Sequence, residues 1–206
     1  MTDLAPWLIL SYLVGAIPTS YLAGRMFRGI DLRKHGSGNL GATNLYRTLG
    51  WKYAIPVGLF DIAKGAVPVV LFAPQVSASE RVAVACGIAA VLGHVYSVFV
   101  RFRGGKGVAT AAGVMLGLAP YAVLALVVLW ALIVFGTGYV SLGSIVAAAL
   151  LPLAVWVLHP GARGLLPVIG LVAAGIVWLH RANIRRLLAG TENRFGRRGA
   201  AAPPAP

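Results

Sequence analysis

Residues 101–115 read RFRGGKGVATAAGVM: two glycines, a lysine and a third glycine between the apolar runs 81–100 and 108–135. Glycine lets backbone N–H groups turn inward as a nest. A helix beginning just after the turn adds positive potential, and Lys106 adds a mobile cation. Gly104, Gly105, Lys106 and Gly107 are therefore candidates for holding a phosphate. A nucleotide loop of the form GxxxxGK[ST] is excluded, because Val100 and Gly107 stand at its first-glycine and hydroxyl positions. Residues 36–47, GSGNLGATNLYR, repeat this chemistry: small residues keep the backbone accessible, Ser37, Asn39, Thr43 and Asn44 supply hydroxyls and amides, and Arg47 can grip a phosphate with two parallel hydrogen bonds. Each stretch alone has a plainer meaning, a basic turn or a capped turn before a short surface helix. Ser37 is not in a GxSxG nucleophile elbow.

Two further polar stretches interrupt the apolar sequence. YVSLGS (139–144) brings Ser141, and HRANIRRLLAGTENR (180–194) brings His180, Asn183 and Glu192. The second alone is equally a solvated juxtamembrane helix that meets anionic lipid. Asp61 and Lys64, three apart in an apolar run, can neutralise each other on one helix face, and a functional or a structural role is equally open. His94 suits a hydrogen-bonded packing role, and His159 an incidental place in a loop. The single cysteine, Cys86, excludes disulfides and cysteine zinc sites.

The elements that must position these groups are membrane helices. The chain of 206 residues is 59% hydrophobic and 11% charged, against about 25% charged in soluble domains; its mean hydropathy is +0.83. The N-terminus has no Lys or Arg before its apolar stretch, which predicts a retained first helix and not a cleaved signal. Segments 4–24, 53–73, 81–100 and 165–180 are plain spans. Region 107–158 holds either one Pro-kinked helix over 107–136 or two helices broken near Pro120, followed by 142–158. Charge decides. Fifteen of the 18 basic residues lie in 25–52, 101–106 and the tail from Arg181 onward, and basic loops stay cytoplasmic. An all-α bundle of seven transmembrane helices, N-terminus outside and C-terminus cytoplasmic, puts all fifteen on one side. All four polar stretches then share that face. The fourth helix, 107–119, reaches only about 20 Å against a core of roughly 30 Å, so the GGKG loop is expected to sink below the headgroups. The expected organisation is a single domain, 1–195, with a disordered tail, 196–206.

GSGNLGATN (36–44), DIAKG (61–65), GHVYSVFVRFRGGKG (93–107) and HRANIRRLLAGTENR (180–194), in this order among seven apolar spans, resemble the acyl-phosphate:glycerol-3-phosphate acyltransferase family of bacterial membranes. The resemblance covers about residues 5–195. It implies transfer of a fatty acyl group from acyl phosphate to the 1-hydroxyl of glycerol 3-phosphate, giving lysophosphatidic acid and phosphate for phospholipid synthesis. It implies a cytoplasm-facing site in the bacterial cytoplasmic membrane, without metal, CoA or carrier protein. Carried over by position, Gly104–Gly107 match the family's phosphate loop, Ser37, Asn39, Thr43 and Asn44 its first motif with Arg47 just beyond, and His180, Asn183 and Glu192 its third, with Ser141 opening helix six. The expected partners are acyl phosphate, glycerol 3-phosphate and membrane lipid, with the synthase that makes acyl phosphate a further candidate and no nucleic acid. The HxxxxD pattern of other glycerol-phosphate acyltransferases is absent. The proton acceptor is then either His180 or a substrate phosphate oxygen. A transporter for a phosphorylated metabolite is disfavoured, since internal repeats are lacking and the polar groups crowd one face. A basic lipid-binding scaffold would leave the paired glycine motifs unused.

Overall fold

The computed structural model describes residues 3–196; the expected tail beyond Gly196 lies outside them. The described chain is helical, without strands. Six helical segments are long and apolar enough to cross a membrane: Leu4–Arg28, Trp51–Gln75, Glu80–Val100, Pro120–Thr137, Val140–Leu158 and Pro160–Leu179. Val108–Leu118 is a shorter apolar helix.

Several spans are broken where the sequence demands it. The first consists of α1 (Leu4–Ala16) and α2 (Thr19–Arg28), parted at Pro18, which has no N–H to continue the ladder. After a three-residue 3₁₀ turn at Leu32–Lys34 and the glycine-rich loop comes the short helix α3 (Ala42–Leu49). Helix α4 (Trp51–Val67) runs on through a wide π turn (Pro68–Phe72) and a 3₁₀ turn to Gln75. The expected span 81–100 is α5 (Glu80–Val95) followed by one 3₁₀ turn at Val98–Val100. Region 107–136 is two helices, α6 (Val108–Leu118) and α7 (Pro120–Thr137). Pro120 occupies the first position of α7, where its missing N–H costs nothing, so it starts a helix instead of kinking one. Helices α8 (Val140–Leu158), α9 (Leu166–Leu179) and α10 (Arg181–Leu188) complete the chain.

Close helix pairs rest on small residues, as expected where lipid tails compete with apolar side chains. On α1 against α5, a Cβ at Gly15 would collide with the Ala90 backbone, and one at Gly93 with Tyr12 and Ala16. On α4 against α6, Gly65 meets Thr110 and Gly113 meets Ile62. Helix α7 packs on α8, and α8 on α9. An apolar core of Met115, Leu126, Leu151, Val155 and Ile169 joins α6 to α9. Large apolar side chains such as Ile9, Leu59, Leu132, Phe135 and Leu171 stay exposed around the bundle, the surface that suits lipid.

Candidate active site

The polar stretches meet at one end of the bundle. Lys106, just before α6, bonds through Nζ to Asn183 Oδ1 on α10. Asn183 Nδ2 donates to Glu192 Oε1 at 2.7 Å, Ser141 Oγ on α8 donates to the same oxygen at 2.9 Å, and Arg186 Nε holds Oε2 at 2.7 Å. Asn183, Glu192 and Ser141 are all buried. Burial alone would raise the Glu192 pKa, but donation from Asn183, Arg186 and Ser141 outweighs it and holds the carboxyl below its ordinary value, so it is an anion at neutral pH. Asn183, fixed by Glu192, can only turn its amide oxygen toward Lys106. Burial, with the Arg186 and Arg47 charges behind it, lowers the Lys106 pKa to about 8, although Glu192 pulls the other way. Arg47, on the last turn of α3, belongs to the same electrostatic group: burial lowers its pKa, Glu192 raises it and Arg186 lowers it.

His180 closes α9 at its junction with α10 and is buried. Its Nδ1 lies 2.8 Å from the Ile176 carbonyl; a carbonyl only accepts, so Nδ1 carries the proton and Nε2 is left as an acceptor. Burial, then the Lys106 charge, lowers its pKa to about 4. A neutral imidazole of that weakness can orient a hydroxyl but takes a full proton poorly.

The two glycine loops differ from the expected nests. Gly104 and Gly105 spend their N–H groups on the carbonyls of Val95 and His94, at 3.0 and 3.1 Å. They are glycine because of crowding. A Cβ at Gly104 would strike the His94 carbonyl, and one at Gly105 the Leu40 carbonyl and His94 Nε2. Their expected role as phosphate donors is corrected accordingly. Among the described residues, the backbone N–H groups of Lys106 and Gly107 carry no bond. Gly107, left-handed at φ 75, turns the chain into α6 and supplies the helix N-terminus behind them.

In the first loop, Asn44 is buried and fully used. Its Oδ1 accepts from Ser37 N at 2.8 Å, and its Nδ2 faces the carbonyls of Leu32, His35 and Asn39 at 3.2, 3.0 and 3.1 Å. Asn44 therefore shapes the loop and has no group left for a phosphate, a correction to its expected role. Ser37 is exposed, and Asn39 and Thr43 are half-buried; among the described residues none of the three side chains bonds to the Lys106 cluster. The loop reaches that cluster through Arg47 and through Tyr46, whose ring stacks on Phe195 at 4.8 Å. It reaches the GGKG loop through Leu40 against Gly105 and through Arg33, which donates to the Val100 carbonyl at 3.3 Å.

The sequence did not single out Arg186, Tyr46, Tyr139 or Phe195. Phe195 N donates to the Gly138 carbonyl at 2.6 Å, and Arg194 Nε donates to Tyr139 Oη at 3.1 Å. Together they fasten the segment after α10 across the start of α8. No spacing signal marks Tyr46, Tyr139 or Phe195, because their partners lie far away in the chain, and Arg186 is one of several arginines in its stretch. Among the described residues no cluster of His, Cys, Asp and Glu is arranged to hold a metal.

Fold and site together define a multi-pass membrane protein with a cation-rich polar cluster at one end of its helices. Residues 5–190 match the glycerol-3-phosphate acyltransferase family. A glycerol-3-phosphate acyltransferase of Geobacter sulfurreducens is 52% identical over 186 residues, covering 90% of this chain and 94% of the relative. Another, from Chlorobaculum parvum, is 45% identical over 222 residues, covering 91% and 95%. Among solved structures, PlsY (YgiH), an integral membrane glycerol 3-phosphate acyltransferase, superposes in its glycerol 3-phosphate form with TM-score 0.88 at 39% identity, covering 95% of this chain and 96% of that one. Its lysophosphatidic acid form gives TM-score 0.85 at 38% identity. The chain belongs to the glycerol-3-phosphate acyltransferase family and is an acyltransferase.

Proposed function

We propose that this protein transfers a fatty acyl group from acyl phosphate to the 1-hydroxyl of glycerol 3-phosphate, releasing lysophosphatidic acid and inorganic phosphate. The observation that carries the reading is Lys106, bonded to Asn183, which Glu192 holds in place, with the Arg47 and Arg186 charges nearby. It is a concentration of cations in a chain whose family acts on a phosphorylated alcohol.

Acyl phosphate is a mixed anhydride whose phosphate leaves without strong acid help, so the barrier lies in bringing two anions together and aiming a hydroxyl at a carbonyl. Fixed cations and N–H donors offset the repulsion and set the geometry. Lys106, Arg47 and the amides of Lys106 and Gly107 bear the phosphates. Ser37, Asn39, Thr43, Ser141, Asn183 and His180 Nε2 are the groups available to orient the glycerol backbone, and Glu192 keeps Asn183 and Arg186 in place. The hydroxyl oxygen bonds to the acyl carbon, the carbon–oxygen bond to phosphate breaks, and the hydroxyl proton passes to a phosphate oxygen, a better acceptor here than the weakly basic His180.

In the membrane, the six long helices and the short α6 form seven crossings with the N-terminus outside. The site then faces the cytoplasm of a bacterial cytoplasmic membrane, the acyl chain stays among helices and lipid, and the acyl-phosphate-forming synthase is a candidate neighbour. The concentration of basic residues at the polar end supports this orientation. Purified protein in detergent, given acyl phosphate and glycerol 3-phosphate, should release phosphate and lysophosphatidic acid in equal amounts. Uptake of labelled glycerol 3-phosphate into liposomes without lipid product would instead mean a transporter. Labelling of engineered cysteines tests the topology: the 101–106 turn and the arginine-rich end must react from the same side.

A further inference from the structure

Beneath the GGKG loop, the mechanism leaves a second polar cluster unused. Asp61 and Lys64 on α4 are both buried, with Lys64 Nζ 2.7 Å from Asp61 Oδ1. Thr19 Oγ1 donates to the same Asp61 oxygen at 2.7 Å, and Lys64 donates to the Ile17 carbonyl at 2.9 Å. That carbonyl lies at the α1–α2 break, where helical partners are missing, and Ser97 likewise donates to the Ala16 carbonyl at 2.5 Å. His94 Nδ1 is 3.9 Å from Asp61 Oδ1 and 3.1 Å from Thr110 Oγ1, which is fully buried on α6. The other edge of the His94 ring faces Gly105, and its carbonyl accepts the Gly105 N–H. Thr19, Lys64, His94 and Gly105 line one narrow cleft together with Leu40 of the first loop.

The geometry points to Asp61, Lys64, His94 and Thr110 as positioning residues for the reaction: Thr110 holds the His94 ring by a hydrogen bond, the Asp61–Lys64 pair packs beside it, and the ring sets the height of Gly105 and hence of Lys106, one residue on. Two observations carry this independently of any charge argument. The His94 ring is held by the Thr110 hydroxyl of α6 with Asp61 of α4 packed 3.9 Å from the same nitrogen, and Gly105 approaches the ring so closely that no side chain fits between them. A buried ion pair is a weak source of stability, since apolar replacements of similar volume often do as well. A support that holds a binding loop to a fraction of an ångström gives the pair a purpose which packing alone does not. The inference rests on the acyl-transfer reading above.

The experiment uses full-length protein in detergent with acyl phosphate and glycerol 3-phosphate as probes. Thr110→Val keeps shape and removes one hydrogen bond. It should raise KM for at least one phosphate substrate about tenfold in a protein that still folds, and Thr110→Ser should restore the native KM. The double variant Asp61→Leu, Lys64→Met should stay folded and show the same KM defect. Native KM in Thr110→Val, or a KM rise that Thr110→Ser does not rescue, overturns the proposal. So does native KM in a folded double variant. An inactive native enzyme would instead overturn the acyl-transfer reading, so the two failures are distinguishable.

Discussion

Gly36 and Gly38 of the first loop sit at φ 59 and 71, whereas Gly104 and Gly105 of the GGKG loop have ordinary backbone angles and no room for a Cβ. The first loop turns back on itself around the Asn44 side chain and needs left-handed residues to do so. The GGKG loop is pressed flat onto the end of α5 and needs bare backbone. Similar composition thus serves two ends, conformation in one loop and distance in the other. Only the second places its charged residue directly in the polar cluster.

Five substitutions, two of them at Lys106, break or sharpen this contrast. Lys106→Ala should lower kcat/KM by about 10²–10³, the usual loss for one electrostatic donor at a reacting centre, without lowering the thermal midpoint. Burial lowers the Lys106 pKa to about 8, and the proposed role needs its charged form. In the native enzyme kcat/KM should therefore fall toward tenfold per unit as pH rises above about 8, and this limb should vanish in Lys106→Arg. Gly105→Ala comes next. Its Cβ meets the Leu40 backbone and the His94 ring, so activity should fall about a hundredfold and stability by about 1–3 kcal/mol, read from turnover and melting together. Asn44→Ala strips the first loop of its clamp and orphans buried carbonyls, at about 1–3 kcal/mol, with KM rising more than kcat falls. Gly38→Ala should be mildest, about 1–2 kcal/mol of left-handed strain, measured by melting. Should Gly38→Ala damage turnover more than Gly105→Ala, the division of labour between the loops is wrong.

Much of the architecture was legible because lipid imposes a coarse rule, long apolar runs with charges gathered at their ends. Even the break near Pro120 followed from charge counting, since one helix over 107–136 would have sent the arginines of the tail to the other side. The interruptions within spans were harder. Pro18 lies inside an apolar run, and only packing shows α1 ending at Ala16 with Lys64 and Ser97 satisfying the freed carbonyls. At the site, Lys106, Asn183, Glu192 and Ser141 were identifiable because polar groups at membrane helix ends stand out against an apolar background. Arg186 was hidden among other arginines that look like ordinary topology signals. Asn44 could not be told from Asn39 by type or spacing, yet its amide is spent inside the loop.

By itself, the sequence determined the class of protein, its helical spans and the anionic character of what it binds. Hydrophobic length, charge placement and residue chemistry are local properties, and they do not depend on neighbours. Which glycine amides remain free, which asparagine faces outward, and that Asp61 and His94 stand beneath the lysine loop were decided only by the packing of α4, α5 and α6. Hydrogen bonds and close approaches are made between residues far apart in the chain, and a distance of that kind exists only once the helices are assembled.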